Sequence, residues 1–488
     1  MAQPFHTPFF PALRPLLAPA GSRVAKAAAC VTAFTLAKIE ERFGSVLPET
    51  LLATPSKGRE RVYTTARTFW CFLWQILNPL SPCREVVRQV QALFTLLGGP
   101  KVSEADGAYC QARQRLSADL FPKALAATAM AAQKAAPPLP PGFLQDRPRK
   151  VVDGTTVTMP DSESNRRHYP KSHATQDGIG FPMMRVVAFF CLTSGAILCA
   201  LTGNFYTSEL RLLCGLLGHL NKNDIVLGDR GFGSFVVVHL LQSAGVDFIG
   251  RSARRVDGRK RVRRLGPNDW LVHWKRPYIP SPLMTESEWN LVPSFLPVRI
   301  IRGSLWRPGF RVRQVTLVTT LLDPNLYPAQ QILQAYLQRW RLELCFDDLK
   351  TTLTMEMLSC KTPAMIYKEL YLHLIAHNLI RLVAAQAACA HSVPVERISF
   401  KGTLDGLRQF LPALCQARSK RLRRKIWDEL LRSLAADSVP ERPNRREPRA
   451  VKRQKNKYPR LSRDRRVFRD RPKRHLRRAR ASRRHLLN

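Results

Sequence analysis

Between residues 336 and 350 the sequence reads YLQRWRLELCFDDLK. At about 100° per residue, Tyr336, Arg339, Glu343 and Lys350 fall at roughly 0°, 300°, 340° and 320° on a helical wheel, a single polar stripe about 60° wide. Leu337, Trp340 and Leu344 flank the stripe on one side and Leu342, Phe346 and Leu349 on the other. An ordinary surface helix collects its polar residues opposite its buried face. A polar row between two apolar flanks instead marks a carboxylate, Glu343, held among basic neighbours in a partly enclosed site. Asp347, at roughly 20° on the same wheel, competes with it as an acidic ligand.

Two more acidic residues stand out by position. Asp153 lies among valines in VVDGTTV, where a carboxylate is costly to bury without a cation or hydrogen bonds to compensate it. Asp229 closes the apolar run IVLGD just before RGFG, and in a sheet with parallel strands sites gather beyond the strands' carboxyl ends. Each also has a local explanation: Asp153 as the start of a turn with Gly154, Asp229 as the cap of the following helix, with Gly231 and Gly233 supplying a sharp backbone turn. Three carboxylates on elements able to pack side by side suit hard Mg²⁺ or Mn²⁺ ions. Two such ions about 3.5–4 Å apart support in-line displacement at phosphorus.

The elements that must position these residues follow from periodicity. RKVVDGTTVTM reads as a strand, and MRVVAFFCLT with AILCALTG as a hairpin. SELRLLCGLLGHL reads as a helix, DIVLGD as a short buried strand, FVVVHLLQSAG as a second helix and VDFIGRS as another strand. Three antiparallel strands followed by alternating helices and strands predict a mixed α/β sheet covered by helices on both faces. The stretch VVAFFCLTSGAILCAL is short for a membrane span and carries a turn at Thr193–Gly195, so it reads as a buried hairpin. Residues 251–318 are rich in Arg, Pro and Trp and read as a β-rich insertion; Trp270, Trp274, Trp289 and Trp306 are expected chiefly in its core. His373 and His377, at i and i+4 in an apolar helix without a third ligand nearby, read as structural and not as zinc ligands.

A formal charge of +42 on 488 residues points to a polyanionic partner, nucleic acid before an anionic membrane. Residues 441–488 hold 21 Lys and Arg against 4 Asp and Glu, a net of +17. The body is therefore basic as well as the tail. Eleven cysteines without a CxxC pair suggest neither a disulfide framework nor a zinc knuckle, and fit a reducing cytoplasm. No secretory signal is evident in the proline-broken N-terminus.

The spacing Y-x2-R-x3-E-x6-K at Tyr336, Arg339, Glu343 and Lys350 resembles the signature of DDE transposases of the insertion-sequence-four group. So do VVDGTTVTMPDSESN, the later GIGFP, IVLGDRGFGSF, LVTTLLDP, LKTTLTMEMLSCKTPAMIYKEL and LIAHNLIR, in that order, over about residues 100–460. The resemblance implies an RNase H-like catalytic fold with Asp153, Asp229 and Glu343 as its acidic triad on two divalent ions. It also implies that Tyr336, Arg339 and Lys350 contact DNA phosphates, a role suited to a bidentate guanidinium, a point charge and a hydroxyl donor. Arg230 is a further DNA-contact candidate. Some relatives stack an insertion tryptophan on a flipped base, and no local motif here selects one.

The expectation is thus a bacterial insertion-sequence transposase that cleaves element ends and transfers 3′-hydroxyl ends to target DNA. It would act in the cytoplasm as a homodimer on DNA, without a membrane partner. Two rivals are a related nuclease that cuts without joining and an inactive DNA-binding derivative. The expected organisation is a leader at 1–35, a helical DNA-binding domain at 36–145, the catalytic domain at 146–440 with its insertion, and a disordered basic tail at 441–488.

Overall fold

A computed structural model describes residues 39, 43–53, 62–96, 98–138, 141–171, 180–252, 261–305, 313–417 and 419–439. The leader, the basic tail and Trp306 lie outside the described residues, as do the side chains of residues 340–344.

Among the described residues two short 3-10 turns (Gly44–Val46 and Glu49–Leu51) precede the helices α1 (Thr65–Leu77), α2 (Cys83–Leu96), α3 (Gly107–Arg115) and α4 (Leu120–Ala135). Next are β1 (Arg149–Thr158), the short α5 (Glu163–His168), and the hairpin β2 (Met183–Cys191) and β3 (Ile197–Asn204). The hairpin turns where the sequence places its break, with Gly195 at φ 71°, a conformation that costs a side chain-bearing residue energy. Then follow α6 (Glu209–Leu216), β4 (Ile225–Gly228), α7 (Phe235–Ser243) and β5 (Asp247–Arg251). Helix α6 begins at Ser208 and α7 at Ser234, whose hydroxyls accept from the backbone amides of Arg211 and Val237.

The segment after β5 contributes β6 (Arg261–Gly266), β7 (Asp269–Lys275), α8 (Glu286–Leu291), β8 (Phe295–Leu305) and β9 (Arg313–Thr319). Among the described residues all nine strands form one sheet in the order β3-β2-β1-β4-β5-β9-β8-β7-β6. Strands β1, β4 and β5 are mutually parallel, and β9 returns antiparallel to β5. The insertion therefore prolongs the central sheet through β9. Its Trp270, Trp274 and Trp289 are buried in the same apolar layer as Val152 and Val226, as expected of core residues. Arg299 of β8, almost wholly buried, grips Asp269 of β7 through Nε at 2.9 Å and reaches the Tyr327 carbonyl at 2.6 Å. That places a paired charge at the root of the next helix.

Helix α9 (Ala329–Asp347) runs straight into a π-helical turn (Asp348–Thr352), in which the Leu353 amide donates to the Asp348 carbonyl at 3.1 Å. Helix α10 (Pro363–Ala390) follows, then α11 (Phe400–Gln416) and α12 (Lys420–Ala436). By length and hydropathy α10 could cross a membrane, but 89% of its most apolar window is buried inside this molecule. It is a core helix. One continuous apolar cluster joins Phe69, Trp70 and Phe121 of the first helices to Leu374 and Ile380 of α10 and to Val151, Phe190 and Leu227 on one face of the sheet. The second cluster covers the opposite face beneath α6 and α7. Helices therefore lie on both faces, as the sequence pattern predicts.

His373 and His377 are buried in α10. His373 sits between the Glu369 and Leu353 carbonyls at 2.8 and 3.1 Å, and His377 stacks on Phe400 with centroids 5.1 Å apart. Both are structural.

Candidate active site

Strand β1 pairs with β4 at Arg149–Ile225, Lys150–Val226 and Val151–Leu227, and there the parallel ladder ends. Asp153 follows Val151 by two residues and Asp229 follows Leu227 by two, so the same register carried forward sets them opposite each other. Neighbouring strands run about 4.8 Å apart, and alternation returns each position to the face of the residue two before it. That is the face of Val151 and Leu227, on which α9 packs. Beyond this point β1 keeps pairing with β2, with Asp153 across from Ala188, and at its end Thr158 bridges Met357, while β4 stops at Gly228. The paired ladder between the two strands thus ends two residues before each aspartate.

Local contacts fix both carboxylates. Oδ1 of Asp153 accepts from the Gly154 amide at 2.9 Å. Oδ1 of Asp229 accepts from the Gly231 amide at 2.8 Å and the Phe232 amide at 3.3 Å. Asp229 thus organises the turn itself and is not the helix cap, since Ser234 holds that position. The expectation that Gly231 and Gly233 serve a sharp turn needs a different reason from left-handed backbone, because neither has positive φ. They are required for close approach: a Cβ on Gly231 would lie 3.1 Å from Asp229 Oδ1, and one on Gly233 would lie 3.0 Å from the Arg251 carbonyl. At Gly154 a Cβ would lie 2.9 Å from the Glu209 carboxyl carbon, so the glycine after Asp153 admits Glu209 on the other side of the strand.

The stripe read from the sequence lands beside these aspartates. Tyr336 and Arg339 are buried, with the guanidinium carbon 5.4 Å from the centre of the Tyr336 ring. Burial raises the Tyr336 hydroxyl's pKa, Arg339 and Arg251 pull it down, and the negative charge of Asp229 adds to the rise. Tyr336 therefore lies within electrostatic reach of Asp229 as well as Arg339. Glu343 lies two turns beyond Tyr336 on α9; its side chain is outside the described set. Half-buried Lys350 has its pKa lowered by burial, opposed by Glu356, Asp153 and Asp347. Lys350 sits in the π-helical turn, so its sequence-derived wheel angle does not hold: the wider turn shifts the phase of every residue in it. Arg230 is exposed immediately beside Asp229.

One acidic neighbour escaped sequence reasoning. Asp347, the competitor for Glu343, is exposed, whereas Asp348 is largely enclosed and its pKa is pushed up to about 7 by burial, partly offset by Arg381 and reinforced by Asp347. Arg381, from α10, also donates through Nε to the Ser194 carbonyl at 2.8 Å, joining the β2–β3 turn to this region. Nothing in the helical period of YLQRWRLELCFDDLK announces the π turn that carries Asp348 inward.

The family described as the transposase DDE domain matches residues 144–379, a span that contains all three acidic candidates. The chain is 26% identical over 411 residues to the transposase InsG of insertion sequence element IS4 from Escherichia coli strain K12, covering 82% of this chain and 88% of that protein. It is also similar to a solved piggyBac transposase synaptic complex with hairpin DNA, at 10% identity and a TM-score of 0.36, over 84% of this chain and 85% of that one. The matched domain and the near full-length likeness to an insertion-sequence transposase support a DDE transposase of the insertion-sequence-four group.

Proposed function

We propose that this transposase cleaves DNA at the ends of its insertion sequence and joins the exposed 3′-hydroxyl ends to target DNA, using Asp153, Asp229 and Glu343 as its acidic triad. The observation that carries this reading is the placement of Asp153 and Asp229, each two residues past the end of the ladder between two parallel strands, under the helix that bears Glu343. The order β3-β2-β1-β4-β5, with the first three strands antiparallel and β4 and β5 parallel to β1, supports an RNase H-like core.

The two aspartates fit Mg²⁺ or Mn²⁺: they offer oxygen donors, at half-buried positions, with orientations set by backbone amides. A pair of such ions, when bound, activates the attacking oxygen and stabilises the leaving one. The chain's own groups do the rest. Arg339 and Tyr336 hold a DNA phosphate beside the acidic residues, Lys350 adds a point charge from the π turn, and Arg230, exposed next to Asp229, meets the backbone. Two chains act together so that both ends are held at once, on DNA in the bacterial nucleoid. The helices before residue 138 read the end sequence, as a DNA-binding unit at 36–145 ahead of a catalytic unit at 146–440, and the tail adds salt-sensitive affinity.

The test is an assay of the full chain on duplexes carrying an element end, with Mg²⁺ and a target plasmid. Joined product is expected. Cut ends that never become joined would replace this reading with a nuclease, and metal-independent or absent cleavage would leave only DNA binding.

A further inference from the structure

Away from the acidic site, the fold brings Cys83 to a pair of residues, Asp106 and Cys110, that lie over 20 positions further along the chain. Cys83 opens α2, Asp106 precedes α3, and Cys110 lies in the first turn of α3. Their ligand atoms all lie within 4.8 Å of one another, each half-buried, the one such group among the described residues. We propose that Cys83, Asp106 and Cys110 form a structural zinc site, completed by a water molecule.

Three further observations support a metal over a chance gathering. Aspartate at a helix N-cap ordinarily accepts from the helix's first amides, yet the Asp106 side chain makes no such bond, although its carbonyl accepts from Cys110 N at 2.9 Å. Its carboxylate is turned to the sulfurs instead. Arg113, held over the rings of Phe72 and Tyr109, brings Nη2 to 3.8 Å from Cys110 Sγ. A divalent ion with two thiolates and one carboxylate carries a net charge of −1, which this guanidinium balances. Gln75 completes the surround, donating to Cys83 Sγ at 3.9 Å while its carbonyl oxygen accepts from Tyr109 and Arg113.

Around a tetrahedral zinc with Zn–S near 2.3 Å and Zn–O near 2.1 Å, ligand atoms stand roughly 3.6–3.8 Å apart, so the group closes on an ion with shifts of about 1 Å. Thiolate donors select zinc over the magnesium expected at an all-oxygen site. Bound there, the ion would pin the loop between α2 and α3. Beyond it, Lys368 of α10 donates to the carbonyls of Arg113 and Gln114 at 3.3 and 2.7 Å, so the site would stiffen the joint between the first helices and the core helix.

The experiment uses the full chain, purified reduced and dialysed against magnesium buffer without zinc. One zinc per chain is expected to remain. Exchange for Co²⁺ should produce a thiolate-to-cobalt charge-transfer band that Cys83→Ser or Cys110→Ser cuts to half or less and that replacing both cysteines abolishes. Asp106→Asn should keep the band and weaken zinc affinity about 10-fold or more. Cys389→Ser, at an exposed thiol elsewhere, and Asp153→Asn should leave both zinc content and band unchanged. Should a cysteine variant fail to fold, the wild-type band and Asp106→Asn still decide. The proposal is overturned if the reduced protein shows no charge-transfer band, or if peptide mapping finds Cys83 and Cys110 joined as a disulfide in protein taken from a reducing cytoplasm.

Discussion

Asp153 of β1 and Asp229, just past the end of β4, each follow by two residues the Val151–Leu227 pair that ends the parallel ladder between those strands. Two carboxylates carried to the same end of neighbouring strands are suited to sharing hard divalent cations. Replacing either by asparagine should therefore abolish cleavage and strand transfer, by at least about 100-fold, since even partners one step removed from a metal cost 10–100-fold. The melting temperature should change little. Near-normal cleavage by Asp153→Asn or Asp229→Asn in a gel assay would remove that residue from the site.

Gly231 allows a sharper test. A methyl there would stand 3.1 Å from Asp229 Oδ1, without any backbone penalty from positive φ. Gly231→Ala should push the carboxylate aside and slow cleavage about 10- to 100-fold, because misplacement by an ångström is enough to cost that much. Thermal unfolding should fall by only a few degrees. A loss of stability without loss of rate would contradict this account.

The Arg299–Asp269 pair bears on stability. Both side chains are buried, so Asp269→Ala leaves a guanidinium without its carboxylate and should destabilise the fold by about 3–5 kcal/mol. Equilibrium urea unfolding would measure it. Replacing both residues by apolar ones of similar volume should restore much of the loss.

Asp348 gives a pH signature. Its folded pKa, about 7, lies above the 3.8 of an ordinary aspartate, chiefly through burial, with Arg381 offsetting and Asp347 adding. Below the unfolded value both states are protonated and nothing is lost. As pH rises from about 4 to about 7 the unfolded chain releases a proton that the folded chain retains, so stability falls across that window and then levels. Asp348→Asn should melt higher than wild type at pH 8, with the advantage shrinking steadily toward pH 4. An advantage independent of pH would mean that the carboxyl is not held protonated.

The tail's +17 charge should appear in salt dependence. Removing residues 441–488 should weaken DNA binding and flatten the slope of log affinity against log salt, with preference for element ends unchanged. Fluorescence anisotropy at several salt concentrations would test both.

The local half of the structure was legible in the sequence. β-branched and apolar runs located β1, the hairpin and β4, and valines around Asp153 and glycines after Asp229 singled out both carboxylates. The rest depended on long-range pairing. Nothing in RQVTLVT says that it will lie against IGR, over 60 residues earlier, and so carry the sheet into the insertion. The π turn, and with it the burial of Asp348, arises from how α9 packs and not from propensity. Cys83 and Cys110 share no recognisable spacing because only the folding of α1 to α3 brings them near. The apolar continuity between the first helices and the sheet was equally hidden, since a proline-rich break between two segments says nothing of what they bury together.

Helix α10 has the first helices against it on one side and the sheet on the other. During synthesis, α1 to α4 leave the ribosome more than 200 residues before the rod they are shaped to clasp. Their packing cannot be completed until Ala390 has emerged. The same rod, in a chain stripped of its first 138 residues, would be an apolar helix of membrane-spanning length with one side bare, and such a fragment should clump or partition into lipid when expressed by itself.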